Sequence, residues 1–308
     1  MIAYTDFLTA VAEGLTLKYS NDGKTVEVKP QVVTRIRAED TYTGLSIVDK
    51  TTDDPSIAPC IDLTRQYTDY IAGETDLDAI VTDLYAHLIA TPLPSIDFDQ
   101  LKDYEAIKPK LLLQLIDADD IKDYIPHVPF GDGLALICRI ALTPDATAVV
   151  TKGMLDKFDI SVDDLFADAM TASTSHRKPV LRSMGETIGM LMDEDDLDDE
   201  EQDALQAVPP LYVATMESED GSFGNYGASA ITYPGFLKTA TERIGSSKLI
   251  VLPSSVHEML LITADCGVDT DDMRDMVRTI NQTQVAPQDR LSDNVYLYDA
   301  KSDTLTKV

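Results

Sequence analysis

The strongest constraint on this chain is one nearly unbroken apolar run, GLALICRIAL at 133–142, closed by Gly133 on one side and Thr143-Pro144-Asp145 on the other. A run this short between turn residues reads as a strand covered on both faces. ATAVVT follows it, so the two segments predict a hairpin with a buried first strand. The pattern recurs three times: LTLKYS with TVEVKPQVVTRI across Asn21-Asp22-Gly23, LYVATM with YGASAITY across a Gly-rich turn, and KLIVLP with VHEMLLI across Ser254-Ser255. NVYLYD supplies a final strand. Successive hairpins pair antiparallel, which argues for an α+β class over a doubly wound α/β sheet.

Helical periodicity lies between these hairpins. Ile2, Phe7, Leu8, Val11 and Leu15 predict an opening helix with Gly14 as its stop. From Asp62 to Thr91 the pattern predicts two helices broken at Gly73; Thr75 or Asp76 caps the second, whose apolar face carries Leu77, Ile80, Leu84 and Leu88. Residues 92–130 read as helical pieces interrupted at Pro109 and ended by Pro126 and Pro129. Ser161, with Asp164 three residues on, opens a helix in VDDLFADAM; Pro234 opens GFLKTATERIG, which Gly245 ends; DDMRDMVRTIN is helical. The expected architecture is α+β, mostly antiparallel sheets built from hairpins with packed helices. Two sub-domains are expected: a mixed helix and strand region over 1–125, and an α+β region over 126–308 that contains an acidic segment at 192–203.

Charge narrows the function classes. Against 25 Lys+Arg stand 54 Asp+Glu, a net charge of −29 spread over both halves of the chain. Such a field repels DNA, RNA and anionic membrane, because nucleic-acid affinity rests on clustered cations that neutralise phosphates. It suits a basic protein partner, or serves solubility alone. Hydrophobic residues make up 44% of the 308, enough for a packed core without staples. Cys60, Cys138 and Cys266 are far apart with no CxxC pair, which predicts reduced thiols and neither a disulfide framework nor a zinc knuckle. The start, MIAYTDFLTAVAEGL, lacks the basic stretch of a signal peptide, and no apolar run approaches the ~18 residues of a membrane span. A cytoplasmic location is expected.

Few side chains suggest chemistry. His257-Glu258 joins the two commonest acid-base groups, yet adjacent strand residues point to opposite faces, and Leu261 stands where HExxH needs its second histidine. His127 lies in Pro126-His127-Val128-Pro129, a rigid loop able to aim its ring at a pocket. The acidic stretch, Asp193, Glu194, Asp195, Asp196, Asp198, Asp199, Glu200 and Glu201, is the candidate interaction surface. It does not make a calcium loop: Leu197 breaks the ligand spacing and no glycine follows. GxSxG, GxxxxGK[ST] and GxGxxG do not occur, and no metal or cofactor site is expected.

Several stretches carry a resemblance: PHVPFGDGLALICRIAL at 126–142, YGASAITYPGFLKTATERIG at 226–245, LPSSVHEMLLI at 252–262 and MVRTINQTQVAPQDRLSDNVYLYD at 276–299, with IAPCIDLTRQYTDYIAG at 57–73. In their order and spacing the chain resembles an uncharacterised family from gut-dwelling clostridia and their relatives, catalogued as a domain of unknown function. The resemblance implies a bacterial cytoplasmic protein or one carried by a mobile element, and brings no activity with it. This chain is richer in Asp than the family's usual look, above all at 192–203.

Three functions follow as expectations. The first is a non-enzymatic accessory or regulatory protein that binds another protein. The second is an acidic nucleic-acid mimic that inhibits a DNA-binding protein, and the third is a hydrolase or metal-dependent enzyme built around His257 or His127.

Overall fold

A computed structural model describes residues 2–34, 41–50, 60–90, 100–143, 146–191, 211–218 and 221–308. They fall into two compact units, Met1–Ser95 and Ile96–Val308. The class is α+β, with antiparallel pairing throughout the described strands. The expected boundary at 125/126 would separate β4 (Leu111–Asp117) from β6 (Leu134–Thr143), which pair from Leu111↔Ile140 to Asp117↔Leu134.

In the first unit α1 (Tyr4–Asn21), α2 (Thr64–Ala72) and α3 (Leu77–Ala90) accompany a sheet of β1 (Val26–Thr34), β2 (Thr41–Asp49) and β3 (Cys60–Ile61) in that order. α1 does not stop at Gly14, and LTLKYS is its last turns and not a strand. Leu15, Leu17 and Tyr19 alternate in sequence, but only Leu15 and Tyr19 are buried, while Leu17 is 63% exposed; the spacing that packs is i, i+4. Gly14 serves a close helix contact, since a Cβ there would lie 2.8 Å from Val81 Cγ2 of α3. The Asp22-Gly23 turn exists, and with φ +73° at Gly23 it ends a helix instead of joining two strands. Gly73, also left-handed, separates α2 from α3, and Asp76 caps α3 through the N–H of Ala79 at 2.9 Å. Phe7, Leu8, Val11 and Leu15 meet Leu45, Ile47, Leu63 and Ile80 in one core.

The second unit holds two sheets. In the smaller, β6 pairs with β4 on one edge and with β5 (His127–Phe130) and β7 (Ala146–Val149) on the other. The expected hairpin of β6 and β7 is therefore present. β4 replaces part of the helical stretch expected at 92–130; among the described residues of that stretch, short helical turns, including α4 (Tyr104–Ile107), precede it. LLLQLID is a short apolar run for which period alone cannot separate strand from helix, and it is a strand buried on both faces, with Leu113, Gln114, Leu115 and Ile116 all covered.

The larger sheet runs β13-β12-β10-β11-β9-β8, made of β8 (Arg177–Ser183), β9 (Tyr212–Ser218), β10 (Lys248–Ser255), β11 (Glu258–Thr263), β12 (Tyr296–Asp299) and β13 (Thr304–Lys307). Its two faces follow strand parity. Leu249 and Val251 join a core shared with Leu113, Leu136, Cys138 and Ile140 of the smaller sheet. Ile250 and Leu252 instead pack with Met273 and Val277 of α9 (Thr270–Thr283) on the opposite face. α5 (Lys152–Phe158), α6 (Val162–His176) and α8 (Phe236–Ile244) also feed the shared core, and α7 (Met184–Leu191) follows β8. Ser161 caps α6 as expected, donating to Asp164 Oδ2 at 2.6 Å while accepting its N–H at 3.1 Å. YGASAITY is not a strand: Gly227–Thr232 winds as a 3-10 helix, and the small residues Ala228, Ser229 and Ala230 are wholly buried.

The three cysteines are free thiols. Burial pushes the Cys138 thiol far up from its ordinary value and raises that of half-buried Cys60 as well. At neutral pH iodoacetamide is expected to leave Cys138 unmodified until the chain unfolds in denaturant. Peptide mapping checks this, and alkylation of native Cys138 as fast as Cys266 would contradict the packing.

Candidate binding groove

Sheet edges are exposed rows of hydrogen-bonding groups, and the second unit treats its edges differently. The outer edge of β4 is covered by α6, where Ser173 Oγ accepts the Leu113 N–H at 3.3 Å. β13 is short, and its Lys307 N–H reaches Asp132 Oδ2 at 3.4 Å. β8 is longer and ends the six-stranded order, and among the described residues no strand pairs with its outer edge.

A groove of about 1070 Å³ lies along that edge. One wall is β8 from Lys178 to Arg182, and the other is a single helical face of α8 carrying Phe236, Thr239, Ala240 and Arg243. Tyr233-Pro234-Gly235 closes the near end, and Gly185 and Glu186 of α7 lie at the other. Local sequence explains the shape. Pro179 cannot donate to a ladder, which suits it to an edge strand with its nitrogen turned away from β9. Gly245, left-handed at φ +81°, ends α8 where sequence expected, and Gly235, left-handed at φ +75°, caps its start.

The groove's charges are held unequally. Arg182 meets Glu217 at 2.5 Å, with side chains only 18% and 10% exposed. Glu186 forms a capping box with Ser183 at the start of α7, accepting the Ser183 N–H at 2.7 Å; that bond holds its carboxyl below the usual range. Arg243 donates to the Leu181 carbonyl at 2.5 Å and only grazes Glu186 at 3.4 Å. Lys178 is 70% exposed and 3.9 Å from Glu217. Beside the groove, Arg177 gives Nη1 to the Asn225 carbonyl at 2.6 Å, while its buried Nε and Nη2 have no hydrogen-bond partner among the described residues. Burial pulls its pKa below the ordinary arginine value.

The histidines singled out by sequence lie elsewhere. His257 is not in a strand; Val256-His257 forms the two-residue turn between β10 and β11, because Ser255 pairs with Glu258. Its Nδ1 accepts the Tyr226 N–H at 3.3 Å, and its Nε2 lies 3.4 Å from Asp289 Oδ1. A carboxylate therefore does meet the ring, whose Nδ1 is taken by a backbone N–H and whose Nε2 faces Asp289, with the side chain 37% exposed. Tyr226 stacks on His257 at 6.0 Å, holds Arg139 over its ring at 4.8 Å from the centroid, and its hydroxyl hydrogen-bonds Thr147 at 3.1 Å. This network stitches the two sheets together. Glu258 does not join it: its carboxylate accepts from Ser254 across the hairpin at 3.1 Å. His127 sits exposed on β5 with Nδ1 3.2 Å from the Ile125 carbonyl. Asp193 to Glu201 lie outside the described residues.

Among the described residues no group of three or more His, Cys, Asp or Glu is gathered to hold a metal, and no helix is long and apolar enough to cross a membrane. A model of a family of unknown function (DUF5688) matches residues 4–300. The chain belongs to that family. The match over 4–300 takes in both units, so the β8–α8 groove lies within the DUF5688 region. Neither the curated proteins nor the solved structures gave a match.

Sequence alone does not reveal the groove: RKPVLRS has no clear period, and GFLKTATERIG reads as a helix without showing which of its faces stays open. The proline inside a short β-prone segment was the available signal, since it marks an edge.

Proposed function

We propose that this protein is a non-enzymatic accessory or regulatory protein that binds another protein through the groove between β8 and α8. The observation that carries this reading is a strand edge left unpaired among the described residues, beside an accessible helix face, while the other described edges of the same unit are short or covered. The contacts of His257 with the Tyr226 N–H and Asp289 supply a structural role for that residue. A net charge of −29 favours a partner that is basic overall. Three dispersed free thiols accord with a cytoplasmic setting.

Thr239 is exposed on the groove side of α8, so Thr239→Trp fills the groove without entering the core. The tagged full chain, expressed in its host, is expected to retain a partner that the Thr239→Trp chain retains roughly tenfold less well, as quantitative mass spectrometry would show. Equal recovery with both chains, or recovery of chaperones alone, would overturn the proposal.

A further inference from the structure

We propose that the partner contributes an extended peptide segment, which adds as a strand to the outer edge of β8 with carboxylate side chains set against Lys178 and Arg243. This rests on the reading that the groove binds a protein, and it specifies how.

Strand parity supplies the hydrogen bonds. The Leu181 carbonyl points away from β9, since Arg243 donates to it from α8. In a strand the N–H and C=O of one residue point the same way and alternate with those of its neighbours. The Leu181 N–H and the Pro179 carbonyl therefore also face the groove: one donor and one acceptor at the spacing an added strand uses. Arg243 occupies the next acceptor, so pairing is centred on Pro179 to Leu181. Across the groove Thr239 and Ala240 are small, which leaves room for a peptide backbone between helix and strand. Phe236 and Val180 offer apolar surface to alternate side chains.

Charge selects the peptide. Both groove carboxylates are occupied locally, Glu217 by Arg182 and Glu186 by the cap of α7. Of the two exposed cations, Lys178 lies 3.9 Å from Glu217, and Arg243, anchored through Nη1 on the Leu181 carbonyl, turns Nη2 to Glu186 only at 3.4 Å. The buried Nε and Nη2 of nearby Arg177, with no hydrogen-bond partner among the described residues, add positive potential from behind the groove wall. On a chain of net charge −29 this is a place where a carboxylate meets cations. At physiological salt the Debye length is about 8 Å, so these neighbours outweigh the distant acids. The partner can be basic overall while the docked segment is acidic.

The test screens immobilised full-length chain against a displayed library of random short peptides and measures the best binder, made synthetically, by fluorescence anisotropy. Alternating apolar and acidic residues are expected in the selected sequences. Affinity is expected to fall roughly tenfold for Thr239→Trp and about threefold for Lys178→Glu, and to drop when the peptide's Glu and Asp become Gln and Asn. Thermal melts establish that both variants fold. Selection of no peptide, of peptides without acidic residues, or of peptides indifferent to Thr239→Trp would overturn strand addition. If the host partner is still lost on Thr239→Trp in that case, groove binding stands and only its mode is wrong; if the partner is retained, the groove reading itself fails.

Discussion

Replacing Gly227 by alanine is expected to destabilise the second unit by about 4 kcal/mol, among the largest effects a single methyl group can have. An added Cβ would fall 2.1 Å from Thr215 Oγ1, 2.3 Å from the His257 carbonyl oxygen and 2.9 Å from the Met216 nitrogen. Two of these atoms are backbone, so no side-chain rotation relieves the clash. The 3-10 turn would have to lift away from β9, breaking the Ala228 N–H bond to the Val256 carbonyl at 3.2 Å and opening the packing of Ala228, Ala230 and Ile231. The loss corresponds to a fall of roughly 10 °C in the second unit's melting temperature. Gly185→Ala is the control, since a Cβ there meets nothing within 4 Å. A Gly227→Ala chain that melts within a degree or two of the control would show that the turn does not lie against β9 as described.

Glu217→Ala is expected to cost about 2 kcal/mol, a value reduced from that of a fully buried pair because Arg182 keeps some contact with solvent. Glu217 is 8% exposed and meets Arg182 at 2.5 Å, so its removal leaves a poorly solvated guanidinium without that carboxylate. Changing both residues, Arg182→Met with Glu217→Leu, removes the charge together with its partner and is expected to stay within about 1 kcal/mol of the natural chain. Urea denaturation of the single and double variants separates the cases. Equal losses in both would mean that packing, not charge, holds this end of the groove.

Two of the four hairpins, β6–β7 and β10–β11, several helix caps and the class are legible because each rests on local chemistry. Ser161 with Asp164, Gly73, and Gly245 after α8 act through backbone conformation and short-range hydrogen bonds, which the residues themselves announce. Errors came where burial overrode a local period. Leu17 imitated strand alternation within a helix, LLLQLID was apolar on both counts, and GASAIT alternated small residues because they pack against backbone. Of the candidate site little was legible. His257 was noticed for its chemistry, but its neighbours Tyr226 and Asp289 are brought to it only by the fold. The groove depends on which strand ends the sheet, a tertiary fact that Pro179 hints at and does not determine.

The measurement closest to the central claim is amide hydrogen exchange at Leu181 with and without the partner that co-purifies from the host. Docking along β8 predicts that this N–H exchanges at least roughly tenfold more slowly in the complex, because it gains a buried acceptor. An unchanged Leu181 alongside new protection on some other surface would contradict the account.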